Sequence, residues 1–217
     1  MRLFFALCLS FLAISHASAD FLPATAGYSA PLLNLASALL GGYSNVALYN
    51  VGTRQSLYLD AGFPGPVTFN FVFLNSTRFS PSALFNLNPA SCSGGTCVAA
   101  GGIVSPLSTQ LLQVQGTSVG CSSGQAAMLN NWGGGDSVGT TVYGFCSPTN
   151  HIGANEVYYF LPVPIDGDNI VYQIRSWQHQ SCLSPPSGYG SEFALQLNQC
   201  SALDTTQQWA LYGFPVV

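Results

Sequence analysis

Charge is what this sequence has least of. Only 6% of its 217 residues are Asp, Glu, Lys or Arg. Lysine is absent, and the arginines are Arg2, Arg54, Arg78 and Arg175. No basic patch can be built from so few cations, which argues against nucleic acid and anionic membrane surfaces as partners. Histidine is nearly as rare, at His16, His151 and His179. No G-x-S-x-G nucleophile elbow and no H-E-x-x-H pair occurs. His179, within Trp177-Gln-His-Gln180, reads as a turn residue. Asp166-Gly167-Asp168 reads as turn chemistry between strands, not as a paired-carboxylate site. The expectation is a protein that is not an enzyme and needs no cofactor. Metal-ligand spacing is missing too: Cys92-x4-Cys97 has no second cysteine pair or histidine pair near it. Long helical periodicity is absent after the first residues.

Long apolar runs are absent as well, with one exception. Met1-Arg2 is followed by an apolar stretch from Leu3 to Ile14 and then by Ala17-Ser18-Ala19. A positive start, an apolar centre and a small-x-small site read as a secretory signal peptide over residues 1–19, cleaved before Asp20. The run is short for a bilayer span. The expected product is a secreted, extracellular chain of 198 residues, the 217 less those 19. Three arginines then face eight acids, a net charge of −5. Ser, Thr, Asn, Gln and Gly must supply solubility in place of ions. Asn75-Ser76-Thr77 is an N-glycosylation sequon.

Seven cysteines are present, and six remain once Cys8 leaves with the leader. An even number in an oxidising compartment reads as three disulfides. Order and spacing favour Cys92–Cys97, Cys121–Cys146 and Cys182–Cys200 among the 15 pairings that six cysteines allow.

What the chain does have is short β-like runs between turn residues. Residues 20–45 are rich in Ala, Leu, Gly and Ser and read as an N-terminal arm, with a short helix between Leu32 and Leu40 as an option. Strand patterning then begins with Val46–Val51, Ser56–Asp60, Val67–Leu74 and Ser82–Leu87. Residues 88–108 read as a Gly-rich, Cys-bridged loop. A second set opens with Gln110–Val114. Two registers fit the rest of that set. One aligns Met128–Asn131 with Gln196–Gln199, and Val142–Phe145 with Leu211–Phe214. The favoured one takes Ser118–Cys121, Thr140–Cys146 and Glu156–Val163 as second, third and fourth strands. A third set runs through Ile170–Ser176, Ser181–Ser184, Phe193–Cys200 and Gln208–Phe214. First strands recur about every 60 residues, and period-two patterning of this kind is an all-β signature.

The third set carries a further signal. Ser181-Cys182-Leu183-Ser184, Phe193–Cys200 and Gln207-Gln208-Trp209 resemble one repeat of the ricin B-chain-like, or R-type, lectins. The resemblance implies a β-trefoil over 46–217, with repeats at about 46–108, 109–167 and 168–217. A disulfide-bonded β-sandwich is the alternative architecture. The resemblance also implies carbohydrate binding, with glycans or glycoproteins as partners. Family pockets use an acid after the second-strand Cys-Leu, an aromatic platform and an amide near Gln-x-Trp. Those positions are eroded here: Ser184 stands where the acid belongs and Asn198 near the platform. Trp209 reads as core. Carbohydrate-binding candidates are therefore Asp60 in the first unit, Gln207 beside Trp209, and the loop residues Asn130, Asn131, Trp132 and Asp136. The loop set joins a ring that can stack on a sugar to groups that can bond its hydroxyls. Two other functions fit the same chain. One is binding or inhibition of a protein such as a protease through 88–108. The other is a non-catalytic structural or surface role.

Overall fold

A computed structural model describes residues 35, 42–59, 70–76, 83–100, 109–116, 121–131, 138–166, 169–186 and 195–213. Six of its strands close a ring: β1 (Tyr43–Asn50), β4 (Leu84–Ser93), β6 (Gln110–Gly116), β10 (Val157–Asp166), β11 (Asn169–Ser176) and β14 (Gln208–Gly213). Each is antiparallel to the next, and β14 pairs back to β1. Closure leaves this layer without an open edge. Three hairpins sit on the ring: β2 (Gln55–Leu59) with β3 (Asn70–Ser76), β7 (Gln125–Asn130) with β9 (Tyr143–Pro148), and β12 (Cys182–Ser184) with β13 (Gln196–Asn198). A short strand, β8 (Thr140–Thr141), ties the second unit to β13, and β3 pairs with β9. Three units of four strands, each giving two to a barrel and two to a cap, are a β-trefoil.

Alternation builds the barrel. On β4, Phe85 and Leu87 point into the core; on β6 Leu112 and Val114 do so; on β10, Tyr158 and Phe160. Their neighbours point outward, as the two-residue period of a strand requires. Trp209 is fully buried and its indole N–H donates to the Leu183 carbonyl at 3.2 Å. Leu35, 8 residues before the start of β1, is buried in the same core. Its N–H donates to the Tyr172 hydroxyl at 2.8 Å, and its carbonyl accepts from the Tyr43 hydroxyl at 2.8 Å. One residue of the expected arm is thus fastened to β1 and β11.

The three disulfides are Cys92–Cys97, Cys121–Cys146 and Cys182–Cys200, the pairing favoured by spacing. Two details differ from the sequence reading. Among the described residues the strand that follows β6 is Gln125–Asn130; of the expected Ser118–Cys121, residues 118–120 lie outside the described residues. Residues 122–125 turn, with Gln125 N–H donating to the Ser122 carbonyl at 3.0 Å and Gly124 at φ +79°. Beyond that turn a ladder of six pairs forms against β9, from Gln125↔Pro148 to Asn130↔Tyr143. Cys121 thus precedes the hairpin and Cys146 lies within it.

The second difference is the expected loop at 88–108. Strand β4 runs on through Pro89 to Ser93 and returns as β5 (Thr96–Ala99). Gly94 and Gly95 have φ of +57° and +88°, the positive values that tight two-residue hairpin turns demand. Cys92 then faces Cys97 directly across the ladder. Pro89 fits because its carbonyl, not a missing N–H, is used: it accepts from Ala100 at 2.9 Å. Asn75 of the sequon lies on β3 at a register shift.

Candidate ligand-binding site

The residues singled out in the sequence divide sharply. Asp60, Trp132 and Asp136 lie outside the described residues. Asn130, Asn131 and Gln207 are all buried. Asn130 accepts from the Asn155 amide at 2.9 Å. Asn131 donates through its side chain to the Ser176 hydroxyl and through its backbone N–H to the Asn155 carbonyl at 3.0 Å. Its own carbonyl lies 3.2 Å from His179 Nε2. Gln207 accepts from Gln173 Nε2 at 3.2 Å and from Ser201 N–H at 2.8 Å, and donates to the Gln199 carbonyl at 2.8 Å. These amides turn inward and tie segments together, where a sugar contact would face solvent. A buried amide is stable only when so bonded.

A different set of amides lies on the outer side of the barrel, Gln113 buried there and Asn86, Asn88 and Gln115 half-buried. Strands β4 and β6 pair with Asn86 opposite Gln115 and Asn88 opposite Gln113. All four side chains share one outer face of the barrel, because Phe85, Leu87, Leu112 and Val114 occupy the inner one. Part of this face forms the floor of a groove of about 560 Å³. Its walls are the β4–β5 hairpin, contributing Pro89 and 97–100, and the 149–152 segment that follows β9. The second wall is pinned: Thr149 N–H donates to the Gly124 carbonyl at 3.0 Å and His151 N–H to the Pro148 carbonyl at 3.2 Å.

Beneath the groove lies the one buried carboxylate among the described residues. Glu156 ends the 3-10 turn Ala154–Glu156. It accepts from Gln113 Nε2 at 2.9 Å, from the Ser147 hydroxyl and from Gly153 N–H at 3.2 Å. A buried carboxylate without a cation must be held by such donors. The arrangement locks Gln113 in the groove floor and keeps the negative charge off the groove surface. No Asp, Glu, Lys or Arg among the described residues lines the groove itself. What remains is Asn88, Gln113, Gln115, Thr149, Asn150 and His151 among Pro, Val, Ala and Ile side chains. Such a lining offers many neutral donors and acceptors and some apolar contact.

This face escaped the sequence reading. Its signal was present, as amides at alternate positions in Leu84-Phe-Asn-Leu-Asn88 and Leu111-Leu-Gln-Val-Gln115. Only the pairing of β4 with β6 makes one face of the two.

No protein-family model and no curated protein matches this chain. Solved structures do resemble it. A designed three-fold symmetric protein, ThreeFoil, superposes with a TM-score of 0.53 at 15% identity, over 78% of this chain and 98% of its own. The SDF2-like protein from Arabidopsis thaliana gives 0.54 at 10% identity, over 80% and 94%. A Caenorhabditis elegans protein of unknown function gives 0.52 at 9% identity, over 81% and 97%. At such identities the likeness is one of fold, and it is the fold that the ring and its three hairpins define: a β-trefoil.

Proposed function

We propose that this protein is a secreted, non-catalytic carbohydrate-binding protein, and that the groove over β4 and β6 holds the ligand. The observation that carries the reading is the groove's lining: amide, hydroxyl and imidazole groups with small apolar side chains and no ion among the described residues. An uncharged polyhydroxylated ligand matches that chemistry, since each hydroxyl can both donate and accept. A charged ligand would lose hydration there without gaining a counter-ion. The R-type lectin resemblance of residues 170–217 and the trefoil architecture agree with this reading, as do three disulfides with an oxidising, extracellular setting.

A glycan array probed with disulfide-intact protein tests it. Binding that falls in Gln115→Ala but persists in Trp132→Ala and Asp60→Ala assigns the site to the groove. Binding that falls only in the latter two moves it to the loops the sequence singled out. A folded protein that binds no glycan ends the carbohydrate reading. One observation favours a second reading. The disulfide-closed β4–β5 hairpin presents Val98 at 57% exposure, a shape suited to a protein partner such as a protease. Inhibition across a protease panel, lost on cleavage between Cys92 and Cys97, is its test.

A further inference from the structure

The seam of β10 with β11 carries a cation without a counter-ion among the described residues. Tyr159 and Arg175 are partners across this ladder. Both point outward, because their neighbours Tyr158, Phe160 and Ile174 fill the core. The Arg175 guanidinium lies over the Tyr159 ring, 4.9 Å from its centroid. Such stacking holds a long side chain in one place. Arg175 Nε is enclosed and has no acceptor. The two terminal nitrogens are not enclosed, and among the described residues no hydrogen bond reaches them. Glu156 and Asp204 are engaged elsewhere, Glu156 with Gln113, Ser147 and Gly153, and Asp204 with Thr206. Enclosing Nε without an acceptor costs free energy, which an anion at the terminal nitrogens would offset in part. Leu111, opposite Tyr159 on β6, and Leu161, two residues along β10, share this outer face and are half-buried.

We infer that Arg175 is a binding site for a singly charged carboxylate, received end-on by the two terminal nitrogens, with apolar surface beside the Tyr159 ring for the rest of the ligand. The guanidinium fork presents two parallel N–H bonds, which match the two oxygens of a carboxylate. One cation balances one negative charge. The chain has no lysine, and the other described arginine, Arg54, lies between β1 and β2. A phosphate close to two negative charges would therefore stay half-compensated. The inference goes beyond the carbohydrate reading and does not depend on it, since neither Tyr159 nor Arg175 lines the groove over β4 and β6. A uronic acid and an N-acylated amino acid bring the same carboxylate.

Titration of the full, disulfide-intact chain, followed by NMR of the arginine side-chain Nε–H signals, tests it. The sequence holds only four arginines, so loss of one signal in Arg175→Lys assigns it. The probes are benzoate, glucuronate and N-acetylglycinate, each against its own amide, and sodium sulfate. Each carboxylate is expected to shift the Arg175 signal and to bind on the order of tenfold more tightly than its amide. Arg175→Lys keeps the charge and removes the fork; Arg175→Gln removes both. Each should lose the preference for the acid; an unchanged melting temperature shows the fold intact, and either variant suffices if the other fails to fold. Gln115→Ala should leave benzoate binding unchanged. Glucuronate as the tightest ligand supports a saccharide source, and N-acetylglycinate a peptide-derived one. Equal affinity for acid and amide overturns the inference, as does a preference that survives both Arg175 variants. Sulfate as tight as benzoate overturns the choice of carboxylate. Benzoate binding lost in Gln115→Ala moves the anion to the groove and overturns the site.

Discussion

Two seams of the barrel have the same backbone geometry and opposite chemistry. Where the first unit meets the second, β4 against β6, the outward pairs are Asn86 with Gln115 and Asn88 with Gln113. Where the third unit meets the first, β14 against β1, the outward pairs are Ala47 with Tyr212 and Tyr49 with Ala210. The latter residues are buried and packed with Val171, Leu84, Val51 and Val163. The Tyr49 and Tyr212 rings meet edge to face, centroids 6.2 Å apart at 84°. A third seam, β10 against β11, stands between them, with Arg175 lying 4.9 Å from the Tyr159 ring centroid. The inner faces of all three seams are apolar, because the barrel needs them so. The outer faces are free to diverge. A trefoil therefore offers three equivalent places, and here one is sealed with aromatics while another is lined with neutral amides. Fold is common to the seams; function is local to one.

The sealed seam should answer to stability and the open seam to ligand. The largest expected effect is Tyr212→Ala. Removing a buried aromatic side chain costs about 3 kcal/mol or more, through lost burial and the cavity left. Chemical denaturation should show the midpoint falling without a change in slope. A loss below about 0.5 kcal/mol, the level of an ordinary surface change, would mean that the outer aromatics do not hold this seam.

Glu156→Ala comes next, and it bridges the two seams' behaviours. It strips Gln113, Ser147 and Gly153 of their common acceptor. Loss of a charged hydrogen-bonding centre in a buried place should cost about 2 kcal/mol. It should also free Gln113 in the groove floor, so that affinity falls along with stability. Denaturation and calorimetry on the same sample check both. Destabilisation with unaltered affinity would separate the buried carboxylate from the groove.

A smaller effect is expected at high pH, and the tyrosines of the sealed seam carry part of it. Burial raises the Tyr212 hydroxyl above the ordinary value of 10.0, and the nearby Tyr49 adds to this. Burial raises Tyr49 also, against the opposing pull of Arg54. Tyr172 moves the same way, chiefly through burial, although its bond from Leu35 acts against the shift. The folded chain thus keeps these protons where the unfolded chain releases them. Their contribution is complete below pH 10 and is lost as pH rises above it toward the folded values. Stability measured from pH 8 upward should decline beyond about 10, as ordinary tyrosines ionise. Tyr212→Phe should flatten that decline, and no flattening would show that another group carries it.

Much of this was legible in the sequence, for reasons that particular residues make plain. Phe85, Leu87, Leu112 and Val114 alternate with amides, so the strands announced themselves. The Cys182-Leu183 and Gln207-x-Trp209 pattern marked out the third unit, where Trp209 does seal the core. The second unit was harder. Ser118–Cys121 looks strand-like in isolation, whereas the strand that pairs with β9 is Gln125–Asn130, beyond the turn at Gly124. The candidate site was least legible. Asn130, Asn131 and Gln207 carry the same carboxamide as Asn88 and Gln115, and a sequence does not say which amides face inward. That depends on which strands lie side by side. Asn88 and Gln115 are 27 residues apart and become partners only through the β4–β6 seam.

The smallest stability effect is expected where the ligand effect is largest. Gln115 is half-buried on the outer face, and it bonds there to another outward amide, Asn88. Gln115→Ala removes a solvent-side hydrogen bond and opens no core cavity, so the change should stay within about 0.5 kcal/mol. The same change should abolish most saccharide affinity, because it removes a carboxamide from the groove lining. Measured beside Tyr212→Ala, it closes the comparison: one seam loses stability and the other loses ligand. If Gln115→Ala instead destabilises the chain as Tyr212→Ala does, the amides are structural, the two seams differ only in the chemistry by which they hold the barrel, and the groove has no claim to a ligand.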